Sequence, residues 1–467
     1  MTGEEPTKEE GFDVKKRWIV LLGATLVVSS MVSAQSVLAR GHSVRPSGSA
    51  APKITRCTAK GTVTYMYWGD SGDNASHKAS IAVAEKQCKG LHVNPIWDSG
   101  NYDTDLATKI GSGNAPDLFQ LDASKRIPQY VSLGALAPLD TFVKQQKIHL
   151  TKTYWPQCVN ELTYKGHVYG LPRTCSNQSL LFYNKEMFRA KKVAFPTNNW
   201  TYSKMANAAQ QLSGTYSLPH DETSQLRFGM AFNTDDFRTE QFMWGWGGDW
   251  LNSKLNRCTM TSPAARTGLQ FLHDIAYKQH GMPTAAQASG LPDYFGGFQK
   301  ERYAMAFMGP WALNYAFGKK PGGQPLINFD WGAVLTPRGP KSRQAVMAST
   351  GLVISKHSSH KSAAFWLARF DSEGNGAVLT GAYGVDMPGA KALWRHPAVV
   401  REYGKPLLAT IRKSNLTGRY PKLVPQYDKF WNVISTDLQP FWQDKATVQE
   451  VTSKACADVT SQGLLGG

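Results

Sequence analysis

Residues able to hold a flat, hydroxyl-rich ligand recur at the ends of short apolar runs. Trp68 closes the run GTVTYMYW, and Asp70 follows two positions later. Asp122 closes DLFQLD, and Trp311 follows YAMAFM through Gly309-Pro310. An indole offers a broad apolar face with a polar edge, and an ionised carboxylate accepts hydrogen bonds from hydroxyl groups. This chemistry is stacking and hydrogen bonding, not bond breaking. Each residue also has a plainer use. A large indole is most often core, and a loop aspartate most often caps a turn or helix. No HExxH, GxSxG or P-loop pattern occurs in the chain.

The elements around these residues would place them together. Residues 61–68 read as a strand, 75–87 as a helix, 91–97 as a strand, 101–110 as a helix and 117–121 as a strand. That alternation predicts a parallel sheet with helices on its faces, and ligands of such sheets sit in the loops after the strands. Trp68, Asp70 and Asp122 occupy those loops. Further on, 162–172 reads as a hairpin leading into a strand, followed by a strand at 179–184 and a helix opening at 185–188. Helices are expected at 200–212, 239–246, 261–280 and 363–370, and strands at 228–232, 303–308, 329–335 and 351–354. Gly309-Pro310 permits a sharp turn and puts Trp311 in the first turn of a helix. From Pro397 onward the pattern is mostly helical, including 427–438 and 448–460.

At 467 residues, with 42% hydrophobic and 19% charged residues, the chain has room for two globular domains. Net charge is +17; residues 1–56 hold eight Lys/Arg against five Asp/Glu, which leaves +14 for the remainder. That charge is scattered, without a basic run interleaved with aromatics, so nucleic acid is excluded as a partner. A basic surface suits an anionic lipid or cell-wall setting. Lys15-Lys16-Arg17 precede an uncharged stretch from Trp18 to Ala39 with small residues near Ala34 and Ala39. This predicts a secretory signal within 1–39, cleaved, or else an uncleaved anchor, and a Pro/Gly/Ser linker over 40–56. The six cysteines, Cys57, Cys88, Cys158, Cys175, Cys258 and Cys456, form no CxxC and no zinc-spaced cluster. Beyond an export signal an even number predicts three disulfides and no metal.

The ordered set YWGD, NAPDLFQLDA, GALAPLD, YGLP…LLFYNKEMF, WGWGGDW, KERYAMAFMGPWAL, DWGAVLTPRGP, GLVIS and GAYGVDMPG resembles the extracellular solute-binding proteins of ABC importers. The similarity is to the group that binds maltodextrins and other oligosaccharides, and it covers roughly residues 61–462. It implies an α/β, two-lobe periplasmic-binding-protein fold with three inter-lobe crossings, near 172–179, 341–350 and 387–392. Lobe 1 would be 57–175 with 346–390, and lobe 2 would be 180–342 with 391–467. With that division the resemblance implies Cys258–Cys456 in one lobe and Cys57–Cys88 in the other, with Cys158–Cys175 left as the third pair, out of fifteen formal connectivities. Carried over by motif position, Trp68, Asp70 and Asp122 would face the cleft from one lobe and Phe237, Trp311 and Trp431 from the other. Asn177, Asp236, Trp246 and Tyr383 join them from the same loops.

The resemblance implies a monomeric, extracytoplasmic receptor, secreted or membrane-associated. It would need no cofactor, would bind a small carbohydrate and would hand it to the membrane permease of an ABC importer. Two departures stand out. No cysteine directly follows the apolar run to serve as a lipoprotein attachment site, and six cysteines are more than the family usually carries. The competing functions are a secreted carbohydrate-active enzyme, which would need two carboxylates at a set separation, and a sugar sensor on the same fold.

Overall fold

The computed structural model describes Cys57, 59–234, 237–315, 317 and 326–466. The chain separates into units 1–43 and 44–467. The expected signal or anchor (1–39), the linker (40–56) and Asp236 lie outside the described residues.

Strand Gly61–Trp68 pairs in parallel with Leu91–Asp98 over its whole length, Gly61 opposite Leu91 and Trp68 opposite Asp98. Leu118–Asp122 lies parallel on its other side. Helices Ser71–Gln87 and Tyr102–Gly111 make the crossovers. The sheet does not stay parallel. Thr350–Ile354 pairs antiparallel with Leu118–Asp122 and then with Gly170–Pro172, giving five strands. Thr350–Ile354 arrives directly from Ala345–Ala348 and Gly170–Pro172 from the hairpin of Thr163–Tyr164 with His167–Val168, so no crossover helix forces them parallel.

A second, antiparallel sheet has Leu180–Asn184 between Met305–Met308 and Trp331–Val334. Every residue of its central strand is buried, as the unbroken apolar run SLLFYN suggests. Between the two sheets lies a third, built from Gly418–Arg419, Ala345–Ala348 and Ser176–Asn177. Ser176–Asn177 follows the first sheet's Gly170–Pro172 and precedes the second sheet's Leu180–Asn184, and Ala345–Ala348 runs directly into Thr350–Ile354. This small sheet is therefore the hinge. The segment around Met387 runs beside it: Cys175 N–H donates to the Met387 carbonyl (3.1 Å) and Gly389 N–H to that of Arg173 (2.8 Å).

Each side has its own core. Val63, Leu91, Leu118, Leu171 and Phe365 pack under the first sheet. Phe242, Leu269, Phe307, Phe430 and Ile434 pack under the second. Helices Pro263–Tyr277, Tyr427–Trp442 and Val448–Ser461 close the second core. Three disulfides fasten the frame: Cys57–Cys88, Cys158–Cys175 and Cys258–Cys456, with Cα separations of 5.4, 6.0 and 5.3 Å.

Two local expectations fail. The strand expected at 228–232 makes only isolated bridges, Phe228 to Tyr303 and Ala231 to Ala306. The pairing lies just upstream, in a hairpin of Gly214–Leu218 with Asp221–Arg227, whose polar sequence gave no strand signal. Trp311 sits one residue before helix Ala312–Tyr315 and not inside its first turn.

Candidate ligand-binding cleft

The aromatic side of the cleft grows out of the second sheet. Strand Met305–Met308 ends, the chain turns at Gly309-Pro310, and Trp311 folds back over the turn. A Cβ on Gly309 would lie 2.3 Å from the indole nitrogen, so only glycine lets the ring lie there. Trp311 Nε1 donates to Gln178 Oε1 at 2.5 Å, and Phe295 meets the indole edge-on at 4.9 Å between centroids. Phe237 opens the short turn Phe237–Thr239 and lines the same cavity. Its neighbour Arg238 holds that turn in place through the Phe307 carbonyl (3.1 Å) and the Tyr294 hydroxyl (2.6 Å).

The opposite side comes from strand ends of the first sheet. Trp68 stands edge-on to Tyr102 at 5.0 Å, and the Tyr102 hydroxyl donates to the Gln120 carbonyl at 2.7 Å. The Gln120 amide lies 2.9 Å from His77 Nε2, which fixes another polar group of this wall. Asp70 is the N-cap of helix Ser71–Gln87. Its Oδ1 accepts from Gly72 N (2.8 Å), Asp73 N (2.9 Å) and, across the cleft, Asn314 Nδ2 (2.9 Å). Asp73 completes the capping box from inside the helix, and burial pushes its carboxyl up to about 7 against the opposing charge of Arg173. Asp122 lies opposite Thr350 where the first sheet meets the hinge.

The floor is the hinge itself. A chain of hydrogen bonds crosses it: Trp311 to Gln178, Gln178 Nε2 to Ser176 Oγ (2.9 Å), and Ser176 Oγ to Asp386 Oδ1 (2.8 Å). Burial raises the Asp386 carboxyl to about 7, with the Ser176 bond pulling the other way. Arg173 enters the floor from the end of Gly170–Pro172, its backbone N–H bound to the Thr350 carbonyl at 2.8 Å. These groups enclose a cavity of about 380 Å³, lined by Trp68, Phe237, Phe295 and Trp311 together with Asp73, Gln120, Asp122, Arg173 and Asp386. A second cavity of about 560 Å³ shares Trp68 and Asp122 and extends outward past Asp70, Asp98 and Arg126. At its rim Arg126 Nε lies 3.5 Å from Asp428 of helix Tyr427–Trp442, a second contact across the cleft.

The structure thus brings Trp68, Asp122, Phe237 and Trp311 to one cavity and Asp70 to its outer neighbour. The other described candidates line neither. Asn177 is 0% exposed and bound to Ser414 and Asn415, because a hinge strand needs its amide satisfied inside. Trp246 stacks on Tyr202 (5.6 Å), away from the cleft. Trp431 packs edge-on to Trp250 at 5.9 Å. Tyr383 follows helix Asn375–Ala382, its backbone N–H bound to Leu379.

Sequence reading missed Asp73, Gln120, Arg173, Gln178, Phe295 and Asp386. The LPR tripeptide before a crossing was the one usable signal for Arg173. Away from the cleft, His220 bonds Glu186 through Nδ1 (2.7 Å) and Glu301 through Nε2 (2.6 Å). Both ring nitrogens are used, and the hydrogen bond to Glu301 raises the imidazole pKa, so this cluster is a clamp on the hairpin. Among the described residues no helix is long and apolar enough to cross a membrane.

A sequence model of the bacterial extracellular solute-binding proteins matches residues 68–370. An uncharacterized ABC transporter extracellular-binding protein of Pyrococcus horikoshii is 23% identical over 283 residues, 59% of this chain and 60% of that protein. The maltotriose-binding protein of Pyrococcus abyssi is 22% identical over 208 residues, 44% of this chain and 40% of that one. The chain thus spans less than two thirds of the length of either relative. Among solved structures, an ABC substrate-binding protein from Listeria monocytogenes in complex with cycloalternan has a TM-score of 0.75 at 22% identity, covering 86% of this chain and 99% of that one. A maltose-bound protein of T. maritima has a TM-score of 0.71 at 19% identity, covering 86% and 99%. The shared architecture is the two-lobe periplasmic-binding-protein fold.

Proposed function

The chain belongs to the bacterial extracellular solute-binding proteins, and from that footing we propose that it is the extracytoplasmic receptor of an ABC importer. It captures a carbohydrate, of oligosaccharide size, between its lobes and delivers it to a membrane permease. The observation that carries this reading is the cavity in which Phe237, Phe295 and Trp311 of the second-sheet side face Trp68, Gln120 and Asp122 of the first-sheet side. Sugar rings have an apolar face for the indoles and hydroxyls for the polar wall. The site residues are Trp68, Asp122, Phe237 and Trp311, with Asp70 holding the rim. The lobes we assign are 57–175 with 346–390, and 180–342 with 391–467, although Leu393 and Ala398 pack into the core of the first sheet. The receptor acts as a monomer outside the cytoplasm, secreted or held at the membrane, and does not cleave its ligand.

A thermal-shift screen over a carbohydrate library tests this. A ligand that binds only the folded state stabilises it by RT ln(1 + [L]/Kd), so a cognate sugar at about 100 Kd adds about 2.7 kcal/mol. Prolonged incubation with that sugar should return it intact. Cleaved product would replace the receptor by the enzyme, and a library without a single hit would remove carbohydrate as the ligand class.

A further inference from the structure

We propose that the ligand carries an acidic group, a carboxylate or phosphate ester, and that Arg173 is the residue that recognises it. The inference rests on the receptor reading above and adds the charge of the ligand.

Arg173 is 4% exposed, lines the inner cavity, and has its Nε fully enclosed without a hydrogen-bond acceptor. Among the described residues its guanidinium makes no hydrogen bond and no ion pair. A buried guanidinium that stays charged and lacks an acceptor is costly. The backbone on either side is pinned, N–H to Thr350 (2.8 Å) and carbonyl to Gly389 N–H (2.8 Å), so the side chain has little freedom to leave.

The neighbouring acids Asp73, Asp371 and Asp386 oppose the charge of Arg173 from a distance, but none hydrogen-bonds its guanidinium, and each is bonded elsewhere. Asp371 accepts from Ser80 and from the Tyr65 hydroxyl (3.2 Å). Asp386 Oδ1 accepts from Ser176 Oγ (2.8 Å) and Met387 N–H (2.7 Å). Asp73 Oδ2 accepts from Asp70 N–H (3.3 Å). Burial raises all three carboxyls, which reduces the negative charge an incoming acid would meet. What remains open is the planar fork of Arg173, and its geometric match is a carboxylate or phosphate. Trp311 and Trp68 line the same cavity, so a sugar ring on the indoles can present its acidic substituent to the floor.

The test is calorimetric titration of two matched pairs, trehalose with trehalose 6-phosphate and maltotriose with trigalacturonate, with inorganic phosphate alone as a further arm. The expected result is at least one acidic sugar bound ten times or more tighter than its neutral partner. In Arg173→Gln that preference should shrink to about twofold or less, and Arg173→Lys, which keeps the charge but not the fork, should fall between. Without ligand, Arg173→Gln should melt within about 4 °C of the parent. A phosphate ester favoured over a uronate, or the reverse, identifies the source of the acid.

Neutral sugars bound as tightly as acidic ones, or a preference that survives Arg173→Gln, would overturn the acid assignment and leave the carbohydrate reading standing. Inorganic phosphate bound as tightly as any sugar, and lost in Arg173→Gln, would support the anion site and count against the sugar. Failure of Arg173→Gln to fold would mean that the fold, not a ligand, uses the charge, and would also overturn the proposal. No binding by any of these probes overturns the acid assignment, while the carbohydrate reading falls only with an empty library screen.

Discussion

The two walls of the cleft are built by different physics. On the first-sheet side, Trp68 apart, the groups are polar and held largely by their own neighbours: Asp70 caps a helix while also accepting from Asn314 across the cleft, and Gln120 is held by His77. On the second-sheet side the groups are rings held by other rings and by a glycine turn, Trp311 against Phe295 above Gly309. A polar wall fixed in advance sets orientation, because its unused acceptors and donors point one way. An aromatic wall supplies most of the buried area and tolerates small shifts of a stacked ring. The contrast also shows why a cleft aspartate is weaker evidence of binding than a cleft indole: the fold itself uses the carboxylate.

The largest effects should come from the frame behind the walls. Removing Cys258–Cys456, which spans 198 residues, with paired serines should cost about 4–5 kcal/mol of stability; the 17-residue Cys158–Cys175 loop should cost about 3. Urea unfolding of the two double variants measures this, and ligand affinity of the folded fraction should hold in both.

Next comes the pH response of the floor. Asp386 has its folded-state pKa raised from 3.8 to about 7. Its stabilising contribution is therefore whole below about pH 4, near its unfolded value, and is lost as pH rises through 7. The melting temperature should fall over that window, and Asp386→Asn should flatten the fall by an amount on the order of 1–3 kcal/mol. An identical pH profile in the variant would show that other groups set it.

Asp70→Ala separates capping from binding. Loss of the cap should cost about 1 kcal/mol of stability, while affinity changes less than about threefold. A much larger loss of affinity would place the carboxylate on the ligand and blur the contrast between the walls. The smallest effect belongs to the rim pair. Asp428→Asn, at a half-exposed residue, should change stability by less than about 1 kcal/mol, and added salt should erase the difference.

Much of this architecture was legible in the sequence. The first three strands carry β-branched and aromatic runs with helical patterns between them, so their order was readable, although the first helix begins at Ser71 behind the Asp70 cap and not at the expected residue 75. The indoles Trp68 and Trp311 were readable because the first closes such a run and the second follows one through Gly309-Pro310. The hinge strands were not, since two-residue pairs such as Ser176–Asn177 and Gly418–Arg419 have no periodicity to detect. Asn177, Trp246 and Tyr383 were placed by loop membership and Trp431 by motif position on a helix, and neither fixes which way a side chain points. Arg173 and Asp386 were hard to read for the converse reason: apart from the LPR tripeptide, each is a single charged residue in or beside a crossing segment, and only the fold shows that both line one cavity.

The central claim is that the second wall holds the ligand through Trp311. Trp311→Ala, titrated with the sugar from the carbohydrate screen and melted without ligand, tests it most directly. The account predicts a loss of about 2 kcal/mol or more, roughly thirtyfold in affinity, with a near-normal melting temperature of the free protein. Full affinity retained in Trp311→Ala would contradict it.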